Sequence, residues 1–234
     1  MTTDLPAHRG QPGGPPAPRP AQPPTDDPDA DRRARRSAAL AAHIRVVLGD
    51  GHRRRGLDIG SGAGGVSPHL VDLFDELVLL DVDEDALELA RANVSAAATA
   101  VGCGTHVRTA RIDLSIAEAA PHAAVLGPLD VAYSAMALHH VRDVPHLLRT
   151  VAGLLRPGGR LVVADLEPDG GLYHADHPSF DGHDGFSHEQ VSSWCGVAGL
   201  HVDRLVTAYV DPKPVRGTVR HVPIFVAAAT RLPG

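Results

Sequence analysis

The chain has 234 residues, 22 Lys+Arg against 28 Asp+Glu, a net charge of −6 and a 43% hydrophobic share. That length suffices for one domain with a sizeable core, and the acidic balance gives no general attraction to nucleic acid. No long apolar stretch occurs, and Cys103 and Cys195 show neither paired nor metal-site spacing, so the expectation is a soluble cytoplasmic protein with no membrane and no nucleic-acid partner.

Nine of the 20 prolines fall in residues 1–28. Such a composition cannot bury enough apolar surface to offset its chain entropy, so this stretch is expected to be a disordered tail. A single domain is expected over 29–234. Leu40, Ile44, Val47 and Leu48 recur at helical spacing, which predicts a helix within 29–50, placed as a lid by its position. Arg32, Arg33, Arg35 and Arg36 open that helix, and a second basic run, His52 to Arg55, follows it. Without interleaved aromatics, the two runs read as a solvated helix face and a charged loop rather than a phosphate-binding patch.

The segment Leu57-Asp58-Ile59-Gly60-Ser61-Gly62-Ala63-Gly64-Gly65 carries the most information. Gly60, Gly62 and Gly64 can take positive φ and carry no Cβ, so the backbone can turn sharply and approach a ligand closely. A helix predicted over 66–74 would point its free N–H groups at the turn. The pattern points to a nucleotide-type cofactor on an α/β sheet. The spacing is G-x-G-x-G, not the G-x-G-x-x-G of a dinucleotide pyrophosphate site, although Gly65 nearly restores the longer form. Asp58 would repel a pyrophosphate and suits a cationic amine.

Further along, Glu76 to Leu80 reads as a buried strand ending at Asp81, and 83–99 as a helix with acids in its first turn. Val107 to Ile112 follows as a strand ending at Asp113, then a short helix at 115–124 and a strand from Leu129 to Ser134. A helix over 143–155 stops at Arg156-Pro157-Gly158-Gly159, before a strand from Arg160 to Asp165. The histidine-rich loop 167–188 leads into a helix at 187–198. Strands Leu200–Tyr209 and His221–Ala229 close the chain, joined through Asp211-Pro212-Lys213-Pro214. Such alternation implies right-handed crossovers and an open, mostly parallel sheet. Asp81, Asp113, Ser134 and Asp165 fall at strand carboxyl ends, where such sheets bind ligands.

On Asp58-Ile59-Gly60-Ser61-Gly62-Ala63-Gly64 the chain resembles the class I S-adenosylmethionine-dependent methyltransferases of small-molecule type, whose first motif is acid-x-Gly-x-Gly-x-Gly. Leu79-Leu80-Asp81-Val82-Asp83 with Leu89-Ala90-Arg91, and the run Leu129 to His140, are similar to the same family. The resemblance implies a Rossmann-like α/β fold: a seven-stranded, mostly parallel sheet with an antiparallel last strand and helices on both faces. It also implies S-adenosyl-L-methionine as cofactor. Asp58, Gly60, Ser61, Gly62 and Gly64 would then cradle the methionine end, with Ser134 and Ala135 lining it. Asp81 would meet the ribose, Val82 the adenine face, and Asp113 beside Leu114 the adenine amine. A carboxylate at Asp81 would also suit the ribose of NAD, and Asp113 could equally cap a helix from Ser115. Neither an Asn/Asp-Pro-Pro-Tyr/Phe box nor a Pro-Cys nucleophile is present, which disfavours base methylation and favours a small-molecule substrate.

A hydroxyl or ammonium acceptor must lose a proton, and a histidine suits that task. His139, His174, His177 and His183 are the candidate bases, although in the resembled family the pair His139-His140 usually supports the turn. The histidines and aspartates of 167–188 could ligate zinc or iron, but their spacing matches no helix or hairpin ligand pattern, and no metal is assigned. Gly182-His183-Asp184-Gly185-Phe186 resembles a stretch of a compact bacterial subgroup of these enzymes. Two alternatives stay open. An NAD(P)-dependent reductase would need a Tyr-x-x-x-Lys pair, whereas the single lysine, Lys213, is expected in a late loop. A non-catalytic cofactor- or partner-binding module would use the Pro-rich tail. The acceptor atom and oligomeric state are not specified by the sequence.

Overall fold

A computed structural model describes residues 29–49, 51–116 and 123–233. The Pro-rich stretch 1–28 and most of the expected helix at 115–124 lie outside the described residues.

Helix α1 (Ala30–Leu48) precedes β1 (Arg53–Ile59), β2 (Phe74–Asp81), α2 (Glu84–Val101), β3 (His106–Arg111) and β4 (Leu129–Ala135). Then come α3 (Val144–Leu154), β5 (Leu155–Leu166), α4 (His188–Val197), β6 (Leu200–Val215) and β7 (Thr218–Arg231). The seven strands form one sheet of order β3-β2-β1-β4-β5-β7-β6. Pairings among β1 to β5 are parallel, and β7 lies antiparallel between β5 and β6.

Period-two alternation sorts the strand side chains onto two faces. Leu57, Ile59, Val78, Leu80 and Ala132 pack with α3 and α4 through Leu147, Val151, Val191 and Cys195. Leu77, Leu79, Val131 and Tyr133 pack on the other face with α1 and α2, through Leu40, Ile44, Ala90 and Val94. The sheet is thus buried on both sides, as parallel sheets require. Local signals set the helix ends. The Asp83 carboxylate accepts from Asp85 N and Ala86 N at the start of α2, and Gly102 ends it at φ 70°. Ser187 and Gln190 form a capping box on α4.

Four expectations change. No α-helix follows the glycine turn: Ser67–His69 and Val71–Leu73 are isolated 3-10 turns, because Pro68 and a short span leave too few residues before β2. The basic run enters β1 at Arg53, whose guanidinium donates to the Leu48 and Gly49 carbonyls that end α1. The closing hairpin is longer than expected. It turns at Arg216-Gly217, both at positive φ, and Asp211 to Pro214 pair with Val219 to Val222 inside it. Lys213 is therefore a buried strand residue.

The fourth change concerns α1. Arg32 and Arg36, one turn apart, are buried and both pair with the buried Asp211 carboxylate of β6, Arg36 at 3.4 Å. Arg36 also donates to the Tyr173 hydroxyl. Only Arg33 and Arg35 form the solvated face.

Candidate active site

The chain order reverses between β1 and β4, and open α/β sheets bind ligands at the carboxyl end of such a switch point. A cavity of about 810 Å³ lies there, built from the ends of β1, β2, β3 and β4. A second cavity, about 590 Å³, lies at the opposite ends of β4 and β5. Its charged lining is Arg149, Arg156 and Arg231, so it holds no carboxylate to meet a ribose.

The glycine turn forms one wall. Gly60 N and Ser61 N both donate to Leu80 O, at 2.8 and 3.0 Å, which ties the turn to the end of β2. Gly60 has φ +68°, and a Cβ there would stand 2.4 Å from that of Ala137. Gly64, at φ +76°, passes over α2, where a Cβ would meet Ala90 at 2.9 Å. Gly62, at φ +51°, has open space where its Cβ would be. Asp81 organises the next wall. Its Oδ2 accepts from Gly62 N at 2.8 Å, and its Oδ1 accepts from Val82 N and Asp83 N at 2.8 and 3.1 Å. One carboxylate thus fixes the glycine turn and the exit of β2 together.

Of the residues singled out from sequence, Gly60, Gly62, Asp81, Val82, Asp113 and Leu114 line the cavity. Asp113 also caps the following turn, its Oδ1 accepting from Ser115 N and Oγ at 2.9 and 2.6 Å. Five others stand outside the lining. Ser134 is fully buried and donates to Ile59 O at 2.9 Å, holding β4 to β1. Ala135, Ser61 and Gly64 are likewise not among the lining residues.

Asp58 is buried beneath the turn. Ser67 donates to it at 2.5 Å and shares a 2.6 Å contact with the Tyr133 hydroxyl. Burial pushes the Asp58 carboxyl up to about 7, aided by the Asp81 charge and opposed by the Ser67 hydrogen bond.

Sequence reasoning missed Met136 and Ala137 in the lining, which also includes His140 of the pair it had weighed as base or turn support. Met136 holds φ 60° while donating its N–H to Ala164 O at 2.8 Å, a backbone conformation rare outside glycine. No local sequence signal marks it.

The histidines separate into two groups. His139 is buried, and its Nδ1 lies 2.6 Å from Asp165 Oδ1. His174 packs 5.1 Å from His139 and 5.6 Å from His140 between ring centroids, and stacks on Phe180 at 3.6 Å. Burial, then the neighbouring imidazoles, push His174 down to about 4 and lower His140 as well. His174 is therefore neutral at physiological pH. His183 belongs elsewhere: its Nε2 meets Val141 O at 2.9 Å and its N–H donates to His139 O at 2.8 Å. With Gly182 and Gly185 too tightly packed for a Cβ, the 182–186 stretch acts as a clasp on the turn after β4. His177 stands at the margin, its ring 6.4 Å from His174.

Residues 57–161 match the methyltransferase domain family. A ubiquinone biosynthesis O-methyltransferase of Caulobacter sp. (strain K31) is 33% identical over 110 residues, covering 47% of this chain and 40% of that protein. The chain therefore spans less than half the length of the curated relatives it matches first. Among solved structures, the N-methyltransferase NodS from Bradyrhizobium japonicum WM9 superposes with a TM-score of 0.61 at 17% identity, covering 88% of this chain and 99% of that one. Magnesium protoporphyrin IX methyltransferase from Synechocystis PCC 6803, solved with bound SAH, gives 0.61 at 15% identity, covering 90% and 89%. Residues 57–161, under half of the chain, thus match a methyltransferase domain, within a fold that solved methyltransferases share. No helix among the described residues is long and apolar enough to cross a membrane.

Proposed function

We propose that the protein transfers the methyl group of S-adenosyl-L-methionine to a small-molecule acceptor. One observation carries this reading. Asp81 and the Gly60–Gly64 turn are joined by a direct hydrogen bond on the wall of the 810 Å³ cavity. A ribose acceptor and a close-approach backbone cradle thereby share one rigid unit. In this reading Asp81 accepts from the ribose, Val82 and Leu114 border the adenine, and Asp113 accepts from its amine. The turn from Gly60 to Gly64 holds the methionine end. Asp58, Ser61, Ser134 and Ala135 act from behind the wall, by keeping the turn and the β1–β4 pair in place.

The sulfonium already makes the methyl group electrophilic, so the protein's work is alignment. The acceptor's lone pair forms the new bond to the methyl carbon, and the sulfur keeps the electrons of the broken bond as a thioether. The acceptor's proton leaves to a neutral base. Of the sequence candidates, His139 and His174 stand beside the cavity-lining His140, and loop 167–188 borders this acceptor side. His183, engaged with Val141 O, serves the clasp, and His177 is peripheral. Residues 29–234 act as one domain, with α1 covering its β6–β7 side, and the free cysteines accord with the reducing cytoplasm.

Titration calorimetry with S-adenosylhomocysteine and with NADPH tests the reading. It predicts saturable binding of the first and none of the second; the reverse order of affinity contradicts it.

A further inference from the structure

We infer that His139, His140 and His174 form a site for one borderline divalent cation of the Zn²⁺, Co²⁺ or Ni²⁺ kind, on the acceptor side of the cavity. Each imidazole offers one ligand atom, and the three atoms lie within 4.8 Å of one another. They come from two separate pieces of chain, the turn Leu138–His140 after β4 and the loop after β5, which the Gly182–Phe186 clasp holds together.

Two features distinguish this group from a chance cluster. The first is the support of His139. Asp165, fully buried, accepts from Leu138 N at 2.8 Å and Leu166 N at 2.7 Å, so it is fixed, and its Oδ1 meets His139 Nδ1 at 2.6 Å. A carboxylate only accepts, so Nδ1 donates to it and Nε2 is the nitrogen left to ligate. Carboxylate behind imidazole is the arrangement that orients a metal-ligating histidine. The second is His174, whose Nε2 is buried with no hydrogen-bond partner. An orphaned buried nitrogen costs free energy unless something meets it. The Phe180 ring, 9° from parallel, fixes the imidazole plane while leaving its nitrogen edge free.

Zn–N bonds of about 2.0–2.1 Å put tetrahedral ligand atoms about 3.3 Å apart. Binding therefore draws the rings inward by about 1.5 Å at most, relative to the 4.8 Å spread. His140, exposed on the surface, and His174, on a loop, can supply that movement while Asp165 holds His139. Three protein ligands leave a coordination position open, the pattern of catalytic rather than structural sites. Because His140 lines the cavity, that position suits an oxygen of an acceptor, a hydroxyl or carboxylate.

The test is a Co²⁺ titration of the full chain after chelator treatment, without cofactor or acceptor, so that its failure leaves methyl transfer standing. The site predicts one equivalent bound with visible d–d absorption, displaced by Zn²⁺. His140→Ala, at an exposed position that leaves the fold intact, and His174→Ala should each weaken Co²⁺ at least ~10-fold. Asp165→Asn should weaken it ~10–100-fold through the orientation of His139. His177→Ala should bind as the unaltered chain does. Absence of Co²⁺ absorption, or equal affinity in His140→Ala, overturns the proposal, as does a loss in His177→Ala that matches the loss in His174→Ala.

Discussion

Replacing Asp81 with alanine should weaken S-adenosylhomocysteine binding by roughly one to two orders of magnitude while leaving the chain folded. An ionised carboxylate offers about four lone-pair sites. Three are taken by Gly62 N, Val82 N and Asp83 N, at 2.8, 2.8 and 3.1 Å. That leaves one, on Oδ2, for a ribose hydroxyl. A hydrogen bond to a charged group contributes about 1.5–3 kcal/mol, which corresponds to a rise in Kd of ~10–150-fold. Losing the Gly62 contact also loosens the turn that holds the methionine end, so the upper half of that range is expected. Asp83→Ala is the comparator. It removes the cap of α2 and costs about 1 kcal/mol of stability, with little effect on affinity. Titration calorimetry reads both variants, with thermal unfolding as the folding control. A change below about 3-fold in Asp81→Ala would sink the ribose assignment, given the 1.4 kcal/mol that a tenfold change represents.

Three further outcomes follow from the same geometry. The Asp58 carboxyl titrates near 7 when folded and near 3.8 when unfolded. The folded state therefore holds the extra proton, and stability present below pH ~4 is lost as pH rises to about 7, by up to about 4 kcal/mol. Asp58→Asn keeps an oxygen for Ser67, so urea melts should show a flatter pH dependence and greater stability at pH 8; an unchanged slope would contradict the burial argument. Gly60→Ala places a methyl 2.4 Å from Ala137 Cβ at φ +68°, a loss of ~2–4 kcal/mol from left-handed strain and overpacking. Gly62→Ala, with open space at its Cβ, should lose only ~1–2 kcal/mol, and equal losses would refute the packing account. Asp211→Ala leaves Arg36 buried without a carboxylate and Arg32 with Asp29 alone, which should destabilise by ~3–5 kcal/mol in denaturant melts. A loss under ~1 kcal/mol would mean the network does not dock α1 onto β6.

The sheet was legible because its evidence is local and periodic. Glycine at 60, 62 and 64, apolar alternation in each strand, and acids at the ends of β2 and β3 all lie within a few residues of what they determine. Where sequence reasoning departed from the structure, the determining partner is distant in the chain. Arg32 and Arg36 look like a solvated helix face until β6, about 175 residues later, brings Asp211 against them. From sequence the strands stop at Tyr209 and start again at His221, with Asp211 to Pro214 as the connection, and proline removes a ladder donor. β6 lies at the sheet edge, where a missing donor is tolerated, so the pairing runs on to Arg216-Gly217. The histidines could be counted but not sorted. Their grouping depends on the clasp Gly182–Phe186 folding back onto the turn after β4, and on Asp165 standing behind His139, neither of which is a spacing pattern.

The central claim is methyl transfer to a small molecule, and one measurement bears on it most directly. The protein is incubated with methyl-labelled S-adenosylmethionine and a metabolite extract, beside Asp81→Ala. The account predicts label in a low-molecular-weight product, an equal amount of S-adenosylhomocysteine, and loss of both in the variant. Label confined to macromolecules, or no transfer from a cofactor that binds, would contradict it.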